Sequence, residues 1–257
     1  MMSDGLMAGL RLHQEGRLQE ADEAYNAVLQ TEPENAEAHH LLGVVAYQMG
    51  RPAEAVARIG RAIAINPRAA AYHDNIGLAF LALGKLDDAH MHARRAVALD
   101  RRHPSIYCNL GNILFAQGQY AGAARAYRRA LSLKTDFAEA HNGLATALAR
   151  EGDADGAITH LRRALSLRPG YADAHHNLAN ALLARGQSEE AIAHYRAALA
   201  SGPSNADTLK GLAAAYLHTD RPHEAVNCLE SALKLDPEDR DAAHLLSDAK
   251  QRLEAQA

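Results

Sequence analysis

Asparagine recurs at Asn75, Asn109 and Asn177, separated by 34 and 68 residues, with Asn112 and Asn180 three positions after the last two and Asn142 one position out of step. A carboxamide both donates and accepts, so a column of them can pair with the backbone of an extended peptide whatever that peptide's side chains are. The bland alternative is a column that is solvated or bonded within its own helix face. Asparagine is a mediocre helix former with no propensity reason to recur at one place, which favours the peptide. In register with these amides stand Glu37, His40, Asp74, Glu139, Asp173, His176 and Asp207, with Arg150 and Lys210 as the fixed cations. A surface made from that set is mildly acidic and suits a neutral or basic chain, with apolar help from Leu78, Leu81, Phe115 and Leu183.

Other chemistry is poorly supported. Fifteen histidines invite a metal, but no His-Glu-x-x-His or Cys-x-x-Cys spacing occurs, and the neighbours His39-His40 and His175-His176 point apart on a helix. No Gly-x-Ser-x-Gly, phosphate-binding loop or dinucleotide fingerprint is present, so neither an enzyme nor a cofactor is expected. Arg94, Arg128, Arg162 and Arg196, flanked by Arg61, Arg95, Arg129 and Arg163, form a basic column. It is opposed by Glu20, Glu54, Asp88, Glu190 and Glu224 at the other ends of the same segments, a layout that complements helix dipoles. An anion-binding edge is the rival reading of that column. Cys108 and Cys228 are too few for a disulfide framework and are expected to be packing residues.

The elements that must carry these columns repeat every 34 residues. Ala recurs at Ala21, Ala55, Ala89, Ala123, Ala157, Ala191 and Ala225, and Gly at Gly16, Gly50, Gly84, Gly118, Gly152 and Gly186, failing only at Asp220. A third column reads Leu42, Ile76, Leu110, Leu144, Leu178, Leu212 and Leu246. Pro33, Pro67, Pro169, Pro203 and Pro237 close most units, with Arg101 and Thr135 in the remaining two. Each column has a physical task. The glycine permits positive φ between two helices, the alanine lets the helices approach, and the proline ends the second helix. Gly5 and Gly9 fall inside the first helix, which is therefore expected to be the least stable. Residues 240–257 read as an amphipathic helix that covers the last apolar face, with Leu245, Leu246, Ala249 and Leu253 inward.

A 34-residue unit with Leu-Gly, a small residue, an aromatic and a closing Pro resembles the tetratricopeptide repeat. Residues 36–69 carry Leu42-Gly43, Gly50, Ala55, Ala62 and Pro67, and residues 172–205 carry Leu178, Gly186, Ala191, Tyr195, Ala198 and Pro203. The resemblance implies an all-α, right-handed α-solenoid, a superhelix of seven units at 2–35, 36–69, 70–103, 104–137, 138–171, 172–205 and 206–239 plus the capping helix, all in one domain over 1–257. It also implies that the first helices line a concave wall, where the asparagine column would lie, and that the usual aromatic of that helix is replaced by His39, His73, His141 and His175, packing residues with a polar tip. The Asn-Leu-Gly and Asn-Leu-Ala phrases at Asn109 and Asn177 are similar to repeats of O-linked N-acetylglucosamine transferases, in which such a ladder grips substrate chains. Chaperone-tail receptors of the family clamp a carboxylate with Lys and Arg, and most of those cations are missing here.

Composition agrees with helices. Hydrophobic residues make up 48% and aromatics only 5%. The net charge is -4, so no overall positive field gathers nucleic acid. No stretch approaches the roughly 20 apolar residues of a membrane span, and the chain is expected to be cytoplasmic. The combined expectation is a non-enzymatic scaffold that holds an extended peptide or partner protein at Asn75, Asn109, Asn112, Asn142, Asn177, Asn180, His40, Asp74, His176, Asp173 and Phe115. Its rivals are a substrate-recognition subunit of a glycosyl-transfer system and a self-associating structural scaffold.

Overall fold

A computed structural model describes residues 4–256, so the first two residues of the expected unit 2–35 and the last residue of the capping helix lie outside the described part. Every regular element in it is helical, and the chain divides into two compact units at Leu133. The first unit holds α1 (Asp4–Gln14), α2 (Leu18–Thr31), α3 (Ala36–Gln48), α4 (Pro52–Ile65), α5 (Ala70–Ala82), α6 (Leu86–Leu99), α7 (Pro104–Ala116) and α8 (Tyr120–Leu133). The second holds α9 (Ala138–Arg150), α10 (Ala154–Leu167), α11 (Ala172–Ala184), α12 (Ser188–Ser201), α13 (Ala206–His218), α14 (Pro222–Leu235) and α15 (Arg240–Gln256). Within each unit a helix packs on its hairpin partner, and the second helix of a pair packs on the first helix of the next. Each unit is thus a short α-solenoid, and α15 ends the second by packing on α13 and α14.

The repeating columns explain this packing. All seven alanines from Ala21 to Ala225 are fully buried at 0% exposure, where a larger side chain would push the paired helices apart. Leu42, Ile76, Leu144, Leu178 and Leu212 are buried as well, whereas Leu110 and Leu246 are half-buried. Helices α6 and α8 stop at Leu99 and Leu133 although Arg101 and Thr135 stand where the other units have proline, so the second helix ends there without it. Cys108 is buried and Cys228 half-buried.

The turn glycines adopt the left-handed backbone, with φ between 70° and 87°, and Asp220 takes the same region at φ 55°, aspartate being among the side chains that tolerate it. A methyl at Gly118 would meet no atom within 4 Å, so Gly118→Ala isolates backbone strain. A loss of about 1 kcal/mol in urea denaturation is expected, and an unchanged midpoint would show that the turn relaxes freely. Gly9 has a different reason. A Cβ there would sit 2.5 Å from the ring of Tyr25, so this glycine admits the fully buried tyrosine between α1 and α2, a compensation invisible to helix propensity alone.

Candidate functional site

The asparagine column forms hydrogen bonds between repeats. Nδ2 of Asn75 donates to Nε2 of His40 at 2.8 Å, and Nδ2 of Asn109 donates to Oδ2 of Asp74 at 3.0 Å, both within the first unit. In the second unit Nδ2 of Asn177 donates to Oδ1 of Asn142 at 3.0 Å. Every link spans 35 residues, joining an amide to the neighbouring column of the preceding repeat. That explains Asn142, which is not a displaced member of the ladder but the acceptor that serves Asn177. The amides are neither simply solvated nor bonded within their own helix. Asn75, Asn109 and Asn177 are half-buried, and the Oδ1 of each has no partner among the described residues.

Asn112 and Asn180, three residues further along, are exposed and fixed from below by tyrosines of the second helices. The hydroxyl of Tyr127 donates to Oδ1 of Asn112 at 2.8 Å, and that of Tyr195 donates to Oδ1 of Asn180. Each tyrosine follows its asparagine by 15 residues. That spacing was present in the sequence, but Tyr195 reads there only as a packing aromatic. Asn180 also donates to Nε2 of His176 at 2.9 Å, and Nδ1 of His176 lies 2.9 Å from Oγ1 of Thr208. Phe115 is half-buried with its ring edge-on to Tyr120.

Two expected surface groups are instead buried. His40 is 7% exposed and Asp74 is 9% exposed. Because Nδ2 of Asn75 can only donate, Nε2 of His40 accepts and its proton resides on Nδ1, 3.6 Å from Oε1 of Glu37. The Glu37 carboxyl is held low by His40 and, further, by the Tyr72 hydroxyl, which donates to it at 2.8 Å. Burial pushes the Asp74 carboxyl up to about 6, opposed by the Asn109 amide, and its Oδ1 has no partner among the described residues. Helix stacking therefore dilutes the expected acidity. Glu139 pairs with Arg168, and Lys210 bridges Asp207 and Asp239 at 2.9 and 2.7 Å. Asp173 stays exposed and lines an open pocket of about 370 Å³ with Asn142, His176, Asn177, Asn205 and Thr208.

The histidine column does more than pack. Nε2 of His39, His73, His141 and His175 binds the carbonyl of Pro33, Pro67, Thr135 and Pro169 at 2.8–3.2 Å, tying the first helix to the turn before it. Tyr107 does this with its hydroxyl, which donates to the Arg101 carbonyl at 3.3 Å. In three repeats Nδ1 faces a second histidine. The pairs His73–His92, His141–His160 and His175–His194 have Nδ1 atoms 2.9–3.0 Å apart. No group of three or more His, Cys, Asp or Glu side chains among the described residues is arranged to hold a metal. No helix there is long and apolar enough to cross a membrane.

Comparison with known proteins follows the fold closely and the sequence loosely. A tetratricopeptide-repeat profile matches residues 12–74, 148–193 and 182–249, and a second profile for the same repeat matches 111–152. No curated protein matches the sequence. Among solved structures, the chain is similar to one in the APC/C hetero-tetramer Cut9-Hcn1, with a TM-score of 0.87 and 21% identity over 95% of this chain. It spans only 48% of that protein. PilF of Pseudomonas aeruginosa gives a TM-score of 0.73 and 19% identity, covering 83% of this chain and 97% of its own. YrrB, described as a TPR protein with an unusual peptide-binding site, gives 0.55 and 22%, covering 72% of this chain and 96% of its own. At these identities the likeness shows the fold alone.

Proposed function

Since the chain belongs to the tetratricopeptide-repeat family, we propose that it is a protein-binding scaffold whose first helices hold extended partner segments, through Asn75 and Asn109 in the first unit and through Asn177 in the second. The observation that carries this reading is the state of those amides. One N–H of each is committed to the preceding repeat, which fixes the carboxamide plane, while the oxygen of the half-buried side chain is left to accept a backbone N–H. Such an oxygen is preorganised, so binding a peptide costs little side-chain entropy. Asn112 and Asn180, oriented by Tyr127 and Tyr195, extend each site by one further amide. A neutral or basic segment fits best beside Asp173 in the second unit. The peptide-binding site attributed to YrrB supports the reading as an analogy of fold.

Affinity capture with the wild type identifies the partner, and calorimetry then compares it with Asn75→Ala/Asn109→Ala/Asn177→Ala. Loss of two or three peptide hydrogen bonds of roughly 1 kcal/mol each predicts binding weaker by at least about ten-fold with helicity retained. Unchanged affinity would remove the ladder from the function. A narrower version makes the chain the recognition part of a glycosyl-transfer system, on the strength of the phrases at Asn109 and Asn177; a transferase retained by the wild type and lost by the triple variant is its test. That the repeats act as one domain over 1–257 belongs to the same proposal, and separate unfolding transitions for the two units would contradict it.

A further inference from the structure

We propose that the edge of the first unit built by α6 and α8 docks an acidic segment of a partner protein, with one apolar side chain of that segment seated beside Met91. From the start of α6 to the end of α8 the chain carries seven arginines against three carboxylates, Asp87, Asp88 and Asp100, although the whole protein has a net charge of -4. All seven are exposed. Arg94 and Arg95 of α6 occupy the same repeat positions as Arg128 and Arg129 of α8, so both pairs emerge on one side of the stack, and Arg101 and Arg102 sit in the turn after α6.

The ordinary explanations of such a column fail here. A helix dipole rewards a cation only within the last turn, and neither α6 nor α8 has a basic residue in its last turn, which corrects the dipole reading for these arginines, while Glu20, Glu54, Asp88, Glu190 and Glu224 do stand in first turns. Neutralisation by a carboxylate accounts for two of the equivalent residues in other repeats, Arg61 with Glu34 and Arg162 with Glu190, whereas Arg163 reaches the Ser166 hydroxyl. On α6 and α8, no ion pair among the described residues engages Arg94, Arg95 or Arg128. Among the described residues Arg129 reaches the Ser132 hydroxyl and the Tyr107 ring. Guanidinium groups gathered on one side of a stack and engaged by no ion pair favour an anion that bonds to several of them.

Met91 selects the kind of anion. It is 58% exposed, the most exposed large apolar side chain among the described residues. It lines an open depression of about 550 Å³ together with Ala98, His90, Arg94, Arg95 and, as the one carboxylate of the lining, Asp87. A phosphate backbone has no use for an apolar seat, and a flat bilayer surface does not enter a depression. A glutamate- or aspartate-rich segment with a leucine or similar anchor satisfies both features.

Fluorescence anisotropy with a labelled synthetic Glu/Asp-rich peptide containing one central Leu tests this directly. Arg94→Gln/Arg95→Gln/Arg128→Gln is expected to weaken binding at least ten-fold, and Met91→Ser to weaken it several-fold only when the peptide carries the Leu. Wild-type affinity is expected to fall steeply with salt. Retained affinity in the triple-Gln variant, with normal helicity, overturns the proposal. So does equal or tighter binding of a single-stranded oligonucleotide or of phosphatidylserine vesicles through the same arginines. Asn75→Ala/Asn109→Ala leaves this peptide's affinity unchanged if the edge is separate from the asparagine face, and a loss there would place the peptide on that face and refute the assignment.

Discussion

Tyr195→Ala is expected to cost about 3–5 kcal/mol, the range for removing a large buried aromatic ring from a packed core. Tyr195 projects from α12, is 1% exposed, meets the backbone of α13 at Gly211, and lies edge-on to His176. Truncation leaves a cavity where three helices meet, and in a stack whose repeats touch only their neighbours the damage stays within α11 to α13. Urea denaturation gives the magnitude, and amide exchange in those helices gives the location. Tyr195→Phe separates packing from positioning. It keeps the ring and removes only the hydroxyl that holds Asn180, for a loss of about 1 kcal/mol. Burial pushes the Tyr195 phenol up to about 12, so in the wild type the hydroxyl remains a donor at neutral pH. A Phe variant as unstable as the Ala variant would mean that the hydroxyl, not the ring, holds this part of the stack.

The periodic features of this fold were legible because a repeat writes its backbone requirements at fixed intervals. The Ala column, the turn glycines and the closing prolines each answer to one local constraint, and the turn at Asp220 kept its geometry after losing its glycine. The candidate site was legible only in part. Its amides could be found by recurrence, but whether they were free depended on residues 35 positions away in sequence, and neither helical periodicity nor composition encodes that pairing. The burial of His40 and Asp74 was hidden for the same reason: both lie on the expected face of the first helix, yet the next repeat covers them. The arginines of α6 and α8 read in the sequence like Arg61 and Arg162, and only the structure shows that those two find Glu34 and Glu190.

The paired histidines give the protein a pH dependence whose sign follows from hydrogen-bond chemistry. A carbonyl only accepts, so Nε2 of His73 carries a proton to the Pro67 carbonyl, leaving Nδ1 as an acceptor for Nδ1–H of His92. A further proton on His73 would have to sit on Nδ1 and would force His92 to carry its own proton on Nε2, and a proton on each ring would set two donors face to face and break the pair. Burial accordingly holds His73, His92, His141 and His194 below the usual histidine value, with Arg95, His73, Arg163 and His175 respectively adding repulsion. Groups with depressed values in the folded state contribute stability above the unfolded value of about 6.5 and lose it as pH falls, at up to about 1.4 kcal/mol per pH unit for each proton the unfolded chain takes up in excess. Asp74 works in the opposite direction. Its carboxyl, raised to about 6, costs stability as pH rises through that value, so its protonation on acidification offsets part of the loss. Thermal unfolding is therefore expected to shift to lower temperature between pH 7.5 and 5.5. Asp74→Asn should steepen the shift, whereas His73→Tyr/His92→Ala, which copies Tyr107 and Ala126 of the next repeat, should make it shallower. A wild-type curve that is flat over this interval, or a double variant with the same slope, would show that the paired imidazoles take up protons as readily when folded as when unfolded.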